Sequence, residues 1–169
     1  MKHLLAAVAT AVLASLVSAA PGAASASTSY TVYQTERPSA LGSCSTANPI
    51  VGRGQSASFS GLAVGAGILS DTICFTGPVG LSNATDTITG GSWSVSGQGL
   101  LRGTAGVFCP AGTIHWDATG LRATVIASGT LDASICGAAS VAVILKGTWT
   151  RSPLTANGST FVGTLTISR

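Results

Sequence analysis

From residue 27 onward the chain alternates apolar and small hydroxylated side chains, in short runs cut by Gly, Pro and Asn. Ala57, Phe59 and Gly61 interleave with Ser56, Ser58 and Ser60; Trp93 and Val95 interleave with Ser92, Ser94 and Ser96. A period of two sends each set to one side of a pleated strand. An amphipathic helix needs apolar residues at spacings of three and four, and no long stretch here has them. Glu, Lys and Gln, all good helix formers, are scarce, whereas Gly, Ser, Thr and Val dominate. The pattern predicts an all-β protein.

Ten runs read as strands: residues 30–35, 55–64, 68–76, 87–96, 100–109, 113–118, 121–127, 129–135, 141–149 and 161–167. In the ninth, Val143, Leu145 and Trp149 share a face; in the tenth, Phe161, Leu165 and Ile167 stand against Val162, Thr164 and Thr166. Such a set suits an antiparallel β-sandwich, the expected architecture, with a closed β-barrel as the alternative. A weak internal repeat is also readable. Gly61-Leu62 precedes Cys74 as Gly120-Leu121 precedes Cys136. Ile88-Thr89-Gly90-Gly91-Ser92-Trp93 and Ile144-Leu145-Lys146-Gly147-Thr148-Trp149 both fit I-x-x-G-[S/T]-W. Two pseudo-repeated halves, each with one disulfide and one tryptophan-bearing strand, would follow.

Residues 1–26 read as a secretory signal peptide: Lys2 and His3, an apolar stretch from Leu4 to Val17, then small residues up to Ala24-Ser25-Ala26. Residues 27–169 are then a single secreted domain, opening with an extended segment over 27–43 and long enough to bury a core. Export places Cys44, Cys74, Cys109 and Cys136 in an oxidising compartment, where cysteines pair. Four cysteines allow three pairings. Sequential pairing, Cys44 with Cys74 and Cys109 with Cys136, closes two loops of similar length, each stabilising by ~3.5 kcal/mol on chain-entropy grounds. Zinc is poorly served, since no pair has C-x-x-C spacing and His115 is the one histidine past the signal segment. The abundance of Gly, Ala, Ser, Thr and Val resembles that of proteins exported by GC-rich bacteria.

Charge narrows the function classes. Charged residues make up 8% of the chain, against roughly 25% in an ordinary soluble protein. Eight Lys and Arg stand against five Asp and Glu, a net charge of +3. With no basic run, neither nucleic acid nor anionic lipid has an electrostatic footprint to meet. The apolar stretch near Ala138 to Leu145 is too short for a helical membrane span. Aromatics, at 5%, are too few for the girdles of a lipid-facing barrel, so no membrane insertion is expected. No Gly-rich loop leads into a helix, and no calcium-loop run appears. No cofactor or metal is expected.

Catalytic readings start at His115-Trp116-Asp117. Residues two apart on a strand share a face, so a small secreted enzyme would use His115 and Asp117 together. No serine lies in a G-x-S-x-G elbow. A glycosidase would need two of Glu36, Asp71, Asp86, Asp117 and Asp132 to flank a bond, but turn chemistry accounts for several of them. Asn83-Ala84-Thr85 and Asn157-Gly158-Ser159 carry the glycosylation sequence and read equally as turns.

The N-terminal run Tyr30-Thr31-Val32-Tyr33-Gln34-Thr35 holds both tyrosines and precedes the first cysteine. Such a strand pairs at its own sheet edge or adds to the sheet of another subunit. Tyr30, Val32 and Tyr33 are the partner-binding candidates. The expected function is a secreted, non-catalytic binding or assembly module whose partner is another secreted protein or a cell-surface glycan. An inhibitor of secreted hydrolases is the first alternative, presenting residues 44–49 or Phe108-Cys109-Pro110 beside a cysteine. The enzyme using His115 and Asp117 is the second.

Overall fold

The computed structural model describes residues 26–37, 44, 55–131, 136, 142–152 and 158–168. The signal-peptide reading, Asp132, Asn157 and most of the 38–54 stretch lie outside them. The described residues form nine strands and no helix. These are β1 (Ser27–Arg37), β2 (Gln55–Ala63), β3 (Gly67–Phe75), β4 (Thr85–Ser96), β5 (Ala105–Phe108), β6 (Thr113–Trp116), β7 (Arg122–Leu131), β8 (Val143–Thr150) and β9 (Thr160–Ser168).

All pairings are antiparallel, and they close on themselves. Around the ring run β3, β2, β1, β9, β8 and β7; then β5 and β6 share one position before β4, which pairs back to β3. β5 lies against Gly91–Ser94 of β4, and β6 against Thr85–Thr87 of the same strand. The two short strands thus stand end to end between β4 and β7, and the result is a closed eight-stranded barrel. The open two-sheet sandwich expected first is not what forms; the barrel is. Both architectures use the same in–out alternation, and what separates them is the β3–β4 and β4–β5/β6–β7 pairings that remove the sheet edges.

A bulge in β4 makes the closure possible. Cys74 pairs with Gly90 but Phe75 with Ile88, so one residue is skipped. Gly91 sits at φ 141, and a Cβ there would run into the Thr72 carbonyl oxygen. Only glycine tolerates both the backbone conformation and the approach, and the bend re-aims the lower half of β4 toward β6. Two of the ten expected strands also merge. The described parts of the 121–127 and 129–135 runs form the single strand β7 (Arg122–Leu131), because Gly129 supplies a close approach to the Val107 carbonyl and not a turn. The 100–109 run keeps only Ala105–Phe108 as strand, while Leu101 turns in to the core.

Apolar side chains fill the interior. Val32, Leu69, Ile88, Val125, Leu145 and Leu165 are almost wholly buried, and Trp149 packs on Phe59 at 5.4 Å and on Trp116 at 5.0 Å between ring centroids. Burying each of the larger side chains is worth about 1.5–3 kcal/mol, which is how a chain with so few charges holds together. The outside carries the Ser and Thr sets. Sequential disulfides join Cys44 to Cys74 and Cys109 to Cys136, with Cα–Cα distances of 5.6 and 5.5 Å.

The two halves correspond as meanders. In each, a cysteine precedes the first of three consecutive antiparallel strands: β2–β3–β4 after Cys44 and β6–β7–β8 after Cys109. Trp93 and Trp149 are both interior. The residue-level match breaks at the bulge, however: Ile88 is buried and Ile144 is exposed, since the extra residue Thr89 shifts the parity of β4 while β8 stays regular.

Candidate functional site

The outer wall over β9, β1, β2 and β3 is the most distinctive surface of the barrel. Tyr33 lies opposite Val162 on β9 and Leu62 on β2, and Leu62 lies opposite Ile68 on β3. The four side chains form one row across four strands, 48%, 52%, 48% and 39% exposed in the order Val162, Tyr33, Leu62, Ile68. Neighbouring strands are about 4.8 Å apart, so side chains in such a row touch. Large apolar residues spend exposure here that a typical surface distributes singly.

A second row runs beside the first. Thr160, Thr35, Ser60, Ser70, Ser94 and Ala105 are successive cross-strand partners from β9 to β5. Ser60 and Ser70 share a hydroxyl hydrogen bond of 2.9 Å, and Ser58 and Thr72 one of 2.8 Å. Small side chains leave two shallow depressions that meet at Ser60. One, of about 550 Å³, lies over β2 to β5 with Arg37, Ser70, Thr72 and Ser94 in its lining. The other, of about 330 Å³, lies between Tyr33, Thr35, Thr160 and Val162.

The partner-binding candidates separate by parity. Tyr33 is in the exposed row. Val32 is fully buried, and Tyr30 is half-buried against the core. Alternation along β1 contains this signal: Tyr33 is one residue out of phase with Val32 and three with Tyr30. Leu62, Ile68 and Val162 escaped notice because a cross-strand row depends on register, which no single run encodes. Nor is β1 a free strand. Residues 27–35 pair with β9 and residues 32–37 with β2.

His115 and Asp117 are not brought together. His115 is exposed on β6, and its Nδ1 lies 2.7 Å from the Thr85 hydroxyl. Asp117 lies past the end of β6, and its Oδ1 accepts from the Thr119 hydroxyl at 2.6 Å and the Thr119 N–H at 3.0 Å. Those hydrogen bonds, the hydroxyl first, hold its carboxyl below the usual range. It closes a turn. In the Phe108-Cys109-Pro110 segment, Phe108 and Cys109 are buried and Pro110 is exposed.

Two carboxyl groups lie inside the barrel instead. Asp86, at the start of β4, accepts a hydrogen bond from Trp116 Nε1 at 3.0 Å. Arg151 covers that indole, 5.9 Å from the ring centroid. Burial raises the Asp86 carboxyl, and the indole bond partly offsets this. Asp71, midway along β3, accepts from Gln34 Nε2 at 2.5 Å, and the same nitrogen donates to the Leu69 carbonyl at 3.2 Å. Gln34 reaches β3 across Gly61, where a Cβ would strike the β1 backbone at Tyr33 and Gln34. Burial pushes Asp71 up to about 7, against the lowering effect of the Gln34 bond. Among the described residues, no group of three His, Cys, Asp or Glu could hold a metal ion. Comparison with protein-family models, curated proteins and solved structures found no match to this chain.

Proposed function

We propose that this protein is a secreted, non-catalytic binding module that engages another secreted protein through the outer wall of β9, β1, β2 and β3. The contiguous exposed row of Val162, Tyr33, Leu62 and Ile68 carries this reading. A tyrosine flanked by aliphatic side chains, rimmed by hydroxyl groups, has the make-up of a small protein–protein contact. β1 contributes outward side chains and not strand addition, since both of its edges are used. The two disulfides suit an extracellular setting. No helix among the described residues is long and apolar enough to cross a membrane. Apolar side chains fill the inside of the barrel and hydroxyls cover much of the outside, the reverse of a lipid-facing barrel.

The row of hydroxyls from Thr160 to Ser94, with Arg37 beside it, favours a second reading: a cell-surface glycan held by hydrogen bonds with a sugar face on Tyr33. One experiment separates the two. Wild type and the Tyr33→Ser/Leu62→Ser double variant are used as baits in the producing organism's culture fluid and against its isolated cell-wall polysaccharide. A stoichiometric protein captured by wild type and lost by the variant supports the first reading. Polysaccharide retention lost by the same variant supports the second. Equal capture by both baits rejects the wall as the binding surface.

A further inference from the structure

The interior of the β1–β3 wall contains a hydrogen-bonding deficit that the binding reading does not use. Asp71 and Gln34 are both almost fully buried. Both described hydrogen bonds of the Gln34 amide nitrogen are committed, to Asp71 Oδ2 and to the Leu69 carbonyl. Two oxygens remain, Asp71 Oδ1 and Gln34 Oε1, and neither has a donor. A buried oxygen without a donor costs about 1–3 kcal/mol, and more if it carries charge. The pair is short of hydrogen, not of acceptors.

Among the described residues, none that faces the pair from inside the barrel carries a positive charge. On β1, the residues in phase with Gln34 are Tyr30, Val32 and Glu36. The inward residues of β2 are Ala57, Phe59, Gly61 and Ala63, none of them ionisable. β3 itself adds Leu69, Ile73 and Phe75, and β4 adds Trp93, Val95 and, toward the barrel end, Asp86. The inward residues of β5, β6, β7, β8 and β9 are apolar or glycine apart from Thr130. Arg37, Arg102, Arg122, Lys146 and His115 are exposed, and Arg151 is over Trp116. An ionised Asp71 would therefore be a buried anion with no cation facing it among the described residues, an arrangement that costs several kcal/mol.

We propose that Asp71 is a neutral carboxylic acid in the folded barrel, taking one proton from solvent to complete the Gln34–Asp71 pair, and that loss of this proton as pH rises weakens the β1–β3 wall. The proton fills the deficit by turning one carboxyl oxygen from acceptor to donor. The protein is thereby built to be firmer in mildly acidic surroundings than in alkaline ones.

The sign follows from linkage. A carboxyl that titrates near 7 when folded and near the usual value when unfolded binds its proton more tightly in the folded state. Its contribution is fully present below about pH 4, falls by up to about tenfold in the folding constant per pH unit, and is gone above about pH 7. Urea unfolding of the full chain from pH 4 to 8 tests this on wild type and Asp71→Asn. The amide side chain carries its own donor and cannot ionise. The variant should lose most of the pH slope and be at least as stable as wild type at pH 8. Equal slopes in the two proteins would overturn the proposal. If the variant does not fold, carbon-13 NMR of the wild-type carboxyls decides it. An Asp71 resonance still protonated at pH 5.5 supports the proposal, and one that titrates in the ordinary aspartate range refutes it.

Discussion

Asp71 lies midway along β3 and Asp86 near the start of β4; both are 4% exposed and both face the barrel interior. At the barrel end, Asp86 meets the indole N–H of Trp116, a donor that can never be mistaken for an acceptor, under the cover of Arg151. In the middle of the wall, Asp71 meets an amide, which brings an unsatisfied oxygen along with its donor. Equal surface exposure hides a difference in depth: protein encloses Asp71 more completely, so burial acts on it more strongly, and the neighbour's chemistry adds to that contrast. A buried acid with a pure donor serves as a structural acceptor, and one with an amide, with no described cation facing it, is suited to keep a proton.

Substitutions at three positions sharpen that contrast, beyond the pH experiment on Asp71. The largest effect is expected from Gln34→Leu, which removes the one described donor to Asp71. Urea unfolding should show a loss of about 2–3 kcal/mol at pH 8, where the carboxylate is left buried and bare. The loss should shrink at pH 5, where the acid is neutral. A loss independent of pH would mean that the two side chains matter only as packing. Asp86→Ala comes next. It leaves the Trp116 indole N–H buried without its acceptor, at a cost of about 1–2 kcal/mol. Asp86→Asn keeps an acceptor and should recover most of it. If the two Asp86 variants unfold at the same urea concentration, the indole bond contributes nothing. The smallest effect is expected at Asp117, an exposed turn carboxyl: Asp117→Asn should leave the melting temperature unchanged and any binding intact. Its lowered carboxyl favours the fold above the ordinary aspartate range and ceases to do so as pH falls, opposite in sign to Asp71, and solvent screening makes it too small to read. Loss of function in that variant would restore the catalytic reading of the His115 segment.

Much of the molecule was legible before its structure. Alternation located the strands, placed Phe59, Trp93, Leu145 and Phe161 inside, and put the serines of β2 and β4 outside. Cysteine spacing left three pairings open, and the fold joins Cys44 to Cys74 and Cys109 to Cys136. The candidate site was less legible. Tyr33 was visible, but Val32 was grouped with it against its own parity, and Leu62, Ile68 and Val162 become its neighbours only through register. Asp71 looked like a turn residue beside Ser70 and Thr72, yet it is interior, because β3 continues through it.

The amino-acid order by itself determined what depends on adjacent residues: the two-residue period, the strand content, the even number of cysteines and the scarcity of charge. Tertiary structure alone decided which strands meet. Closure into a barrel rests on β3 pairing β4, with the β4 strand bulged at Thr89, and the Gln34–Asp71 contact joins residues 37 apart in the chain. Side-chain period is a local property of a pleated backbone, whereas register and closure arise from hydrogen bonds between distant segments and the accumulated twist of the sheet.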